Sequence, residues 1–183
     1  MGKDMIEKII KTVKEYHPDT DEDFLWQAYY FGKKAHEGQT RKTGEPYFEH
    51  SLATAEKLAY LKMDPRTVAA GMLHDVPEDT KESVNQLERK FGREVAHLVK
   101  GVTKLSKVRY RYEERYVKSL QKLFLAMSKD LRVIVIKFAD RLNNLKTLYV
   151  HPPETGKRIA QEVLEIYAPI AGLLGIWEIK WEI

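Results

Sequence analysis

Ionisable residues end two apolar stretches of this sequence. His74 and Asp75 follow the apolar residues 69–73, and Asp140 follows the run 134–139. A buried carboxylate without a partner is costly, so each group needs an opposite charge, a hydrogen-bond donor or a metal ion. A salt bridge is the alternative for each, for example between Asp140 and Arg141. Since the chain has no cysteine, a metal would be held by His, Asp or Glu, which favour harder divalent ions.

A basic loop precedes a further histidine. Arg41 and Lys42 are followed by Gly44 and Pro46, which favour a defined turn, and the loop leads to His50. Guanidinium groups stack on purines and ammonium groups pair with phosphates, so the loop has the residues for binding a nucleotide. An ordinary exposed basic loop has the same composition, and a lone histidine is more often a packing residue than a ligand.

The acidic pair Glu78 and Asp79 lies three and four residues after Asp75. Pro77 disfavours a continuing helix, so we expect the pair on a turn at the edge of a metal site. One carboxylate there can orient or deprotonate water while the other handles a proton. Alternatively, the pair only adds favourable negative charge to the start of the next helix.

Helical periodicity runs through nearly the whole chain, and we predict an all-α fold in a single domain. Asp21 opens an amphipathic helix that ends by Gly38, and Asp64 caps a helix that ends near Asp75. Thr80 is predicted to cap the following helix, which Gly92 closes. The remaining predicted helices cover residues 48–61, 113–127, 130–149 and 154–172. Asp130 is a candidate cap of the third of these, and its β-branched run 133–136, which could also suit a strand, is interpreted as buried helix. Asn144 and Thr147 follow Asp140 by about one and two turns, which places them on the same helical face.

The composition is that of a globular protein, with 43% hydrophobic and 32% charged residues. The net charge of +4 arises in one segment, because residues 100–118 hold seven basic and two acidic residues. That segment suits a nucleic-acid patch, an anion-facing loop or, as readily, a solvated helix junction. We find neither a membrane span nor a secretory signal and expect a cytoplasmic protein.

The ordered set of His50, His74, Asp75 and Asp140 resembles the metal-binding motif of HD-type phosphohydrolases. Residues 39–47, 70–80, 101–105, 136–148 and 165–170 are together similar to the hydrolase domain of the RelA/SpoT-type alarmone enzymes. The similarity runs from about residue 20 to the last residue. It implies an HD-domain bundle of about eight to ten helices across residues 1–183.

The resemblance also implies an activity, namely hydrolysis of the 3′-pyrophosphate of guanosine tetra- or pentaphosphate, (p)ppGpp, with Mn²⁺ as the usual metal. The matched positions imply these roles: metal ligands His50, His74, Asp75 and Asp140, catalytic acids Glu78 and Asp79, and nucleotide-binding residues Arg41, Lys42, Thr43, Asn144 and Thr147. Long members of the family carry a nucleotide synthetase after the hydrolase, so we expect either a fragment of such an enzyme or a stand-alone hydrolase.

The sequence departs from the family pattern at several positions. Asn143 stands where histidine is frequent, and Lys118 stands where glutamate is general. Neither change removes an implied ligand. Two other functions remain open at this stage. One is an HD phosphohydrolase for another nucleotide, which would not need the loop at residues 41–43. The other is a helical nucleic-acid binder, which is the less expected because it would make no use of Asp140.

Overall fold

The computed structural model describes residues 2–106, 121, 125 and 129–182, and every regular element in these residues is helical. The prediction of an all-α fold is confirmed. Lys118 and nearly all of the predicted helix at 113–127 lie outside the described residues, as does most of the basic segment 100–118. Among the helices that are described, none has the length and apolar character needed to cross a membrane.

The helices follow one another along the chain with short connections. In order they are α1 (Gly2–Tyr16), α2 (Glu22–Ala35), α3 (Phe48–Tyr60), α4 (Pro65–Leu73), α5 (Val76–Asp79), α6 (Val84–Ser106), α7 (Arg132–Lys146), α8 (Pro153–Glu162), α9 (Ala168–Leu173) and α10 (Trp177–Glu182). A 3₁₀ turn at Leu148–Val150 follows α7, and a π-helical turn at Val163–Tyr167 joins α8 to α9. The predicted helix at 154–172 is therefore helical throughout, although its hydrogen bonding changes in the middle.

Aspartate side chains start three of these helices, as their positions in the sequence indicate. Asp21, Asp64 and Asp130 accept hydrogen bonds from early backbone amides of α2, α4 and α7, at 3.3, 3.0 and 3.0 Å. Pro65 occupies the first position of α4, where its missing N–H has no partner to lose. These caps place the start of α4 and α7, the helices that carry or precede three of the implied metal ligands.

The start of α6 differs from the prediction, because Thr80 does not cap it. Thr80 instead follows the one-turn helix α5, and its hydroxyl donates to the Val76 carbonyl at 2.7 Å. The cap is Ser83, whose backbone amide donates to Gln86 Oε1 at 2.6 Å while Ser83 Oγ accepts from the Gln86 amide at 3.3 Å. This reciprocal pair is a capping box, a pattern that the sequence contains and the prediction overlooked. Gly92, which was predicted to close this helix, does have a non-helical backbone with φ of 86°, but the chain resumes a helical course beyond it as far as Ser106.

Helix α7 is shared by the two hydrophobic cores of the described residues. One face packs into the main core with α1, α2, α3, α4 and α6, through Val133, Val135, Ile136 and Ala139. The other face packs against the π-helical turn, α9 and α10, through Ile134, Phe138 and Leu142. The β-branched run 133–136, read as buried helix in the sequence, is indeed buried helix. Asp140 therefore stands in the middle of the molecule.

Close packing of α3 on α4 depends on a glycine. A Cβ added at Gly71 would lie 2.4 Å from Leu58 Cδ1, well inside van der Waals contact. Because Gly71 lies in the last turn of α4, the close approach also sets the position of the residues that follow this helix.

Candidate metal centre

Four side chains from α3, α7 and the turn between α4 and α5 converge in the interior. His50 lies in the first turn of α3, Asp140 lies in α7, and His74 and Asp75 form the turn after α4. Helix α3 packs against both α4 and α7, so residues as far apart in sequence as His50 and Asp140, separated by 90 positions, come into contact.

The imidazole nitrogens and carboxylate oxygens of this cluster are close enough to one another to bind a common cation. His50 Nε2 lies 3.2 Å from Asp140 Oδ1 and 3.7 Å from Asp75 Oδ2. His74 Nε2 lies 3.1 Å from Asp75 Oδ1 and 4.0 Å from Asp140 Oδ1. His50, His74 and Asp140 are at most 5% exposed and offer donor atoms within 4.8 Å of one another. The structure thus brings all four implied ligands together.

The hydrogen bonding of His74 fits a metal ligand. Its Nδ1 lies 2.8 Å from the Gly71 carbonyl oxygen, which can only accept, so Nδ1 carries the hydrogen and Nε2 presents its lone pair. Nε2 is buried and forms no hydrogen bond with any described residue. Its neighbours are the carboxylate oxygens of Asp75 and Asp140. A divalent cation between these atoms would satisfy an imidazole lone pair and two carboxylates at once.

The electrostatics of the cluster favour a positive charge at its centre. Burial alone would lower the pKa of His74, but the Asp75 and Asp140 carboxylates raise it to about 9. Burial alone would raise the pKa of Asp75, but His74 holds it down at about 2. Without an ion, the site thus attracts a proton to the position that a metal would take. Two imidazoles and two carboxylates are a donor set that suits a divalent cation.

The Asp140 carboxylate forms an ion pair with a buried lysine, Lys137, for which no role was predicted from the sequence. Lys137, 4% exposed, places Nζ 2.7 Å from Asp140 Oδ2 and holds the pKa of that carboxyl well below its usual range against the opposing effect of burial. Arg141, the salt-bridge partner considered from the sequence, instead pairs with Glu162 at 3.2 Å. Neighbouring helical residues point in different directions, whereas residues three apart share a face. The sequence feature that could have identified Lys137 is its position as a charged residue within the apolar run 134–139.

The far side of His50 contacts the predicted nucleotide-binding residues. His50 Nδ1 lies 2.7 Å from Asn143 Nδ2 and 3.1 Å from an Arg41 guanidinium nitrogen. The other terminal nitrogen of Arg41 donates to Asn144 Oδ1 at 2.8 Å, and Asn144 Nδ2 donates to Asp140 Oδ1 at 2.7 Å. Arg41 and Asn144 therefore border the cluster. Asn143, which the sequence marked only as a departure from the family pattern, supports an implied ligand.

The other three predicted nucleotide-binding residues form no hydrogen bond with the cluster among the described residues. Lys42 is exposed on the loop before α3, and the Thr43 hydroxyl is 3.5 Å from Glu45 Oε2. The Thr147 hydroxyl donates to the Asn144 carbonyl at 3.2 Å, just beyond the end of α7.

The acidic pair Glu78 and Asp79 lies on the one-turn helix α5, next to the cluster. We call these two residues the acidic turn. Tyr47 links the two sites, because its hydroxyl is 2.8 Å from Asp79 Oδ2 and 3.4 Å from Asp75 Oδ2. Burial and these carboxylates raise the pKa of Tyr47, which keeps its hydroxyl a donor. Gln39 Nε2 donates to the Asp79 carbonyl at 2.7 Å. No role for Tyr47 was predicted from the sequence.

The chain is similar in sequence to curated bacterial proteins. The chain is 48% identical over 176 residues to a GTP pyrophosphokinase of Myxococcus xanthus, which covers 94% of this chain and 23% of that protein. It is 44% identical over 180 residues to the bifunctional (p)ppGpp synthase/hydrolase SpoT of Escherichia coli K12, covering 98% of this chain and 26% of that protein. The chain therefore spans about a quarter of the length of these curated relatives.

A solved structure and a family model also match this chain. The structure, described as a metazoan ortholog of SpoT that hydrolyzes ppGpp and plays a role in starvation responses, superposes with a TM-score of 0.62 at 26% identity. The match covers 76% of this chain and 80% of that one. The model of the HD domain matches residues 28–177. With its buried His/Asp cluster and its similarity to RelA/SpoT-type enzymes over nearly its whole length, the chain belongs to the HD domain family.

Proposed function

We propose that the protein is a metal-dependent phosphohydrolase that removes the 3′-pyrophosphate of guanosine tetra- or pentaphosphate, with Mn²⁺ as its metal. The observation that carries the proposal is the buried cluster itself, in which the lone pair of His74 Nε2 and two carboxylates face one another beside Arg41 and Asn144. Relatives support the substrate, since the Aquifex aeolicus protein that is 44% identical over 183 residues is named guanosine-3′,5′-bis(diphosphate) 3′-pyrophosphohydrolase.

In this proposal His50, His74, Asp75 and Asp140 hold the metal. When bound, a divalent ion acidifies water and neutralises charge on phosphate oxygens. The site's own residues prepare for it: the Gly71 carbonyl sets the His74 tautomer, and burial strengthens the attraction between the carboxylates and a cation.

The acidic turn is proposed to move the protons of the reaction. Hydrolysis forms a bond from a water oxygen to the 3′-linked phosphorus and breaks the bond from that phosphorus to the ribose 3′-oxygen. One carboxyl of Glu78 and Asp79 takes the proton that water loses, and the other delivers a proton to the departing 3′-oxygen. Tyr47 holds the Asp79 carboxylate beside the cluster by its 2.8 Å hydrogen bond.

The loop before α3 and the end of α7 are proposed to bind the nucleotide. Arg41 already lies at the cluster, so a bound phosphate or purine would replace its bonds to neighbouring side chains. Lys42, exposed on the same loop, supplies a further positive charge, and Asn144 offers its amide. Thr43 and Thr147 contribute hydroxyls at the rim. We further propose that residues 1–183 are a hydrolase unit within a longer two-activity enzyme, as the name of the E. coli relative suggests.

The test is pyrophosphate release from ppGpp by EDTA-treated protein, with and without added Mn²⁺. We compare the native chain with Asp140→Asn, which keeps the shape of the side chain but removes its charge. The control is Asp19→Asn, at an exposed loop position. We expect Mn²⁺ to restore activity in the native and control proteins. The Asp140 variant should lose at least about 100-fold in activity, because loss of a ligand should cost no less than the upper end of the range for loss of an outer-shell partner.

The same assay separates the alternatives. Turnover of dGTP or of cyclic nucleotides, with ppGpp left intact, would assign the cluster to another nucleotide. Mn²⁺-independent hydrolysis, or full activity in the Asp140 variant, would contradict the proposed role of the cluster.

A further inference from the structure

Lys137 is a cation placed inside the protein next to the candidate metal centre. It lies in α7 among buried apolar residues and is 4% exposed. A lysine is seldom buried so completely unless it is paired, and its ammonium group is 2.7 Å from Asp140 Oδ2. A buried positive charge beside a site for a cation opposes binding of that cation, so its presence needs a reason.

The two oxygens of the Asp140 carboxylate have different surroundings. Oδ2 is held by Lys137. Oδ1 faces both imidazoles, at 3.2 Å from His50 Nε2 and 4.0 Å from His74 Nε2, and accepts a hydrogen bond from Asn144 at 2.7 Å. Only one of the two oxygens thus points towards the centre of the cluster.

We propose that Lys137 is a positioning residue that holds Oδ2 of Asp140, so that this aspartate offers a single oxygen, Oδ1, to the metal. The inference rests on the proposed metal site. Restricting Asp140 to one donor keeps coordination positions open for water and substrate. The two carboxylates of the cluster balance a divalent ion, so the ammonium group of Lys137 adds one positive charge beside the loaded site. A substrate with several phosphate charges favours that sign.

A lysine that only stabilises the fold would behave differently. Breaking a buried ion pair lowers the free energy of unfolding, whether or not a metal is bound, and leaves the metal site itself unaltered. A positioning lysine predicts instead that the spectrum and the affinity of the bound metal change. These two readouts do not depend on catalytic activity.

The experiment titrates EDTA-treated protein with Co²⁺ and records the visible absorption, which responds to the number of ligands, and then measures the Mn²⁺ dissociation constant by calorimetry. The variant is Lys137→Met, which matches lysine in length without its charge. The control, Lys146→Met, removes an exposed lysine from the same helix. We expect weaker Co²⁺ absorption in the Lys137 variant, because the freed Oδ2 raises the coordination number, and about tenfold tighter Mn²⁺ binding because a repelling charge is gone. The control should match the native protein.

A second variant covers the case in which Lys137→Met does not fold without metal, as circular dichroism would reveal. Lys137→Gln keeps a hydrogen-bond donor for Oδ2 but not the charge, so it should retain the native Co²⁺ spectrum and still bind Mn²⁺ about tenfold more tightly. If the native protein binds Co²⁺ and the folded variants bind both metals with native spectra and affinities, the positioning role is overturned and the metal site stands. If the native protein binds neither metal, both the positioning role and the proposed function are contradicted.

Discussion

The pH dependence of stability gives a sharp test of the cluster, because His74 carries a raised pKa in the absence of metal. The carboxylates of Asp75 and Asp140 outweigh the effect of burial and raise this pKa from 6.5 to about 9. A group whose pKa is raised on folding adds stability that is complete below its unfolded pKa and is lost as the pH rises through its folded value. The free energy of unfolding of metal-free protein should therefore fall between pH 6.5 and 9.

The size of this fall in the free energy of unfolding follows from the shift in the pKa of His74. At about 1.36 kcal/mol for each pH unit, the change from 6.5 to about 9 corresponds to about 3 kcal/mol. His74 is 1% exposed, so solvent screening does not reduce this figure. Asp75, whose pKa falls to about 2, stays ionised throughout this range and adds no slope of its own.

The assay is urea denaturation of EDTA-treated protein, followed by circular dichroism at intervals from pH 6 to 9.5. His74→Asn should remove the slope, and His97→Asn, at an exposed position, should leave it unchanged. Excess Mn²⁺ should reverse the trend, because a metal needs the His74 lone pair and binding then releases a proton. A free energy of unfolding that stays flat or rises between pH 6.5 and 9 in the metal-free native protein would contradict the raised pKa of His74.

Three further substitutions test separate parts of the site. Tyr47→Phe removes the hydroxyl that holds the acidic turn, so kcat for pyrophosphate release should fall about tenfold while the Mn²⁺ dissociation constant measured by calorimetry is unchanged. Asn143→Ala removes a partner of His50 and should weaken Mn²⁺ binding about 10- to 100-fold in the same calorimetric titration. Gly71→Ala adds a methyl group where α3 and α4 meet and should lower the free energy of unfolding by about 1–3 kcal/mol in urea, whereas Gly156→Ala, with its nearest neighbour at 3.7 Å, should not lower it.

Each of these expectations can fail separately. Equal loss of Mn²⁺ affinity and of kcat in the Tyr47 variant would place its effect on the metal rather than on the acidic turn. Unchanged Mn²⁺ affinity in the Asn143 variant would mean that His50 holds its orientation without this amide. A Gly71 variant as stable as the native protein would mean that α3 and α4 can separate at no cost.

Local patterns in the sequence were enough to predict most of the described helices, although not the one-turn helix α5, and the kinds of residue in the site. The caps at Asp21, Asp64 and Asp130 depend on side chains that bond to backbone amides two or three residues away, so their signal is contained within one turn. The error at Thr80 was also local, since the competing cap at Ser83 lies three residues further on.

The pairing within the site could be predicted only in part. Asn144 was expected on the face of Asp140 because both lie on one helix four residues apart, and the two are hydrogen-bonded at 2.7 Å. The partner of Asp140 was not predicted: Arg141 was considered, yet Lys137 makes the contact. Residues three apart on a helix share a face and adjacent residues do not, so Lys137 can reach the Asp140 carboxylate, whereas Arg141 points away towards Glu162.

Patterns within one helical turn were enough to predict an all-α fold, the starts of α2, α4 and α7, and a set of histidines and acids suited to a divalent ion. Three contacts could be read only from the packed helices: His50 meets Asp140 across 90 residues, Asn143 supports the His50 imidazole, and Tyr47 joins Asp75 to Asp79. The difference lies in distance along the chain, because a cap or a helical face follows from bonds within a turn, whereas contacts between α3, α7 and the turn after α4 exist only once the helices have packed around a common core.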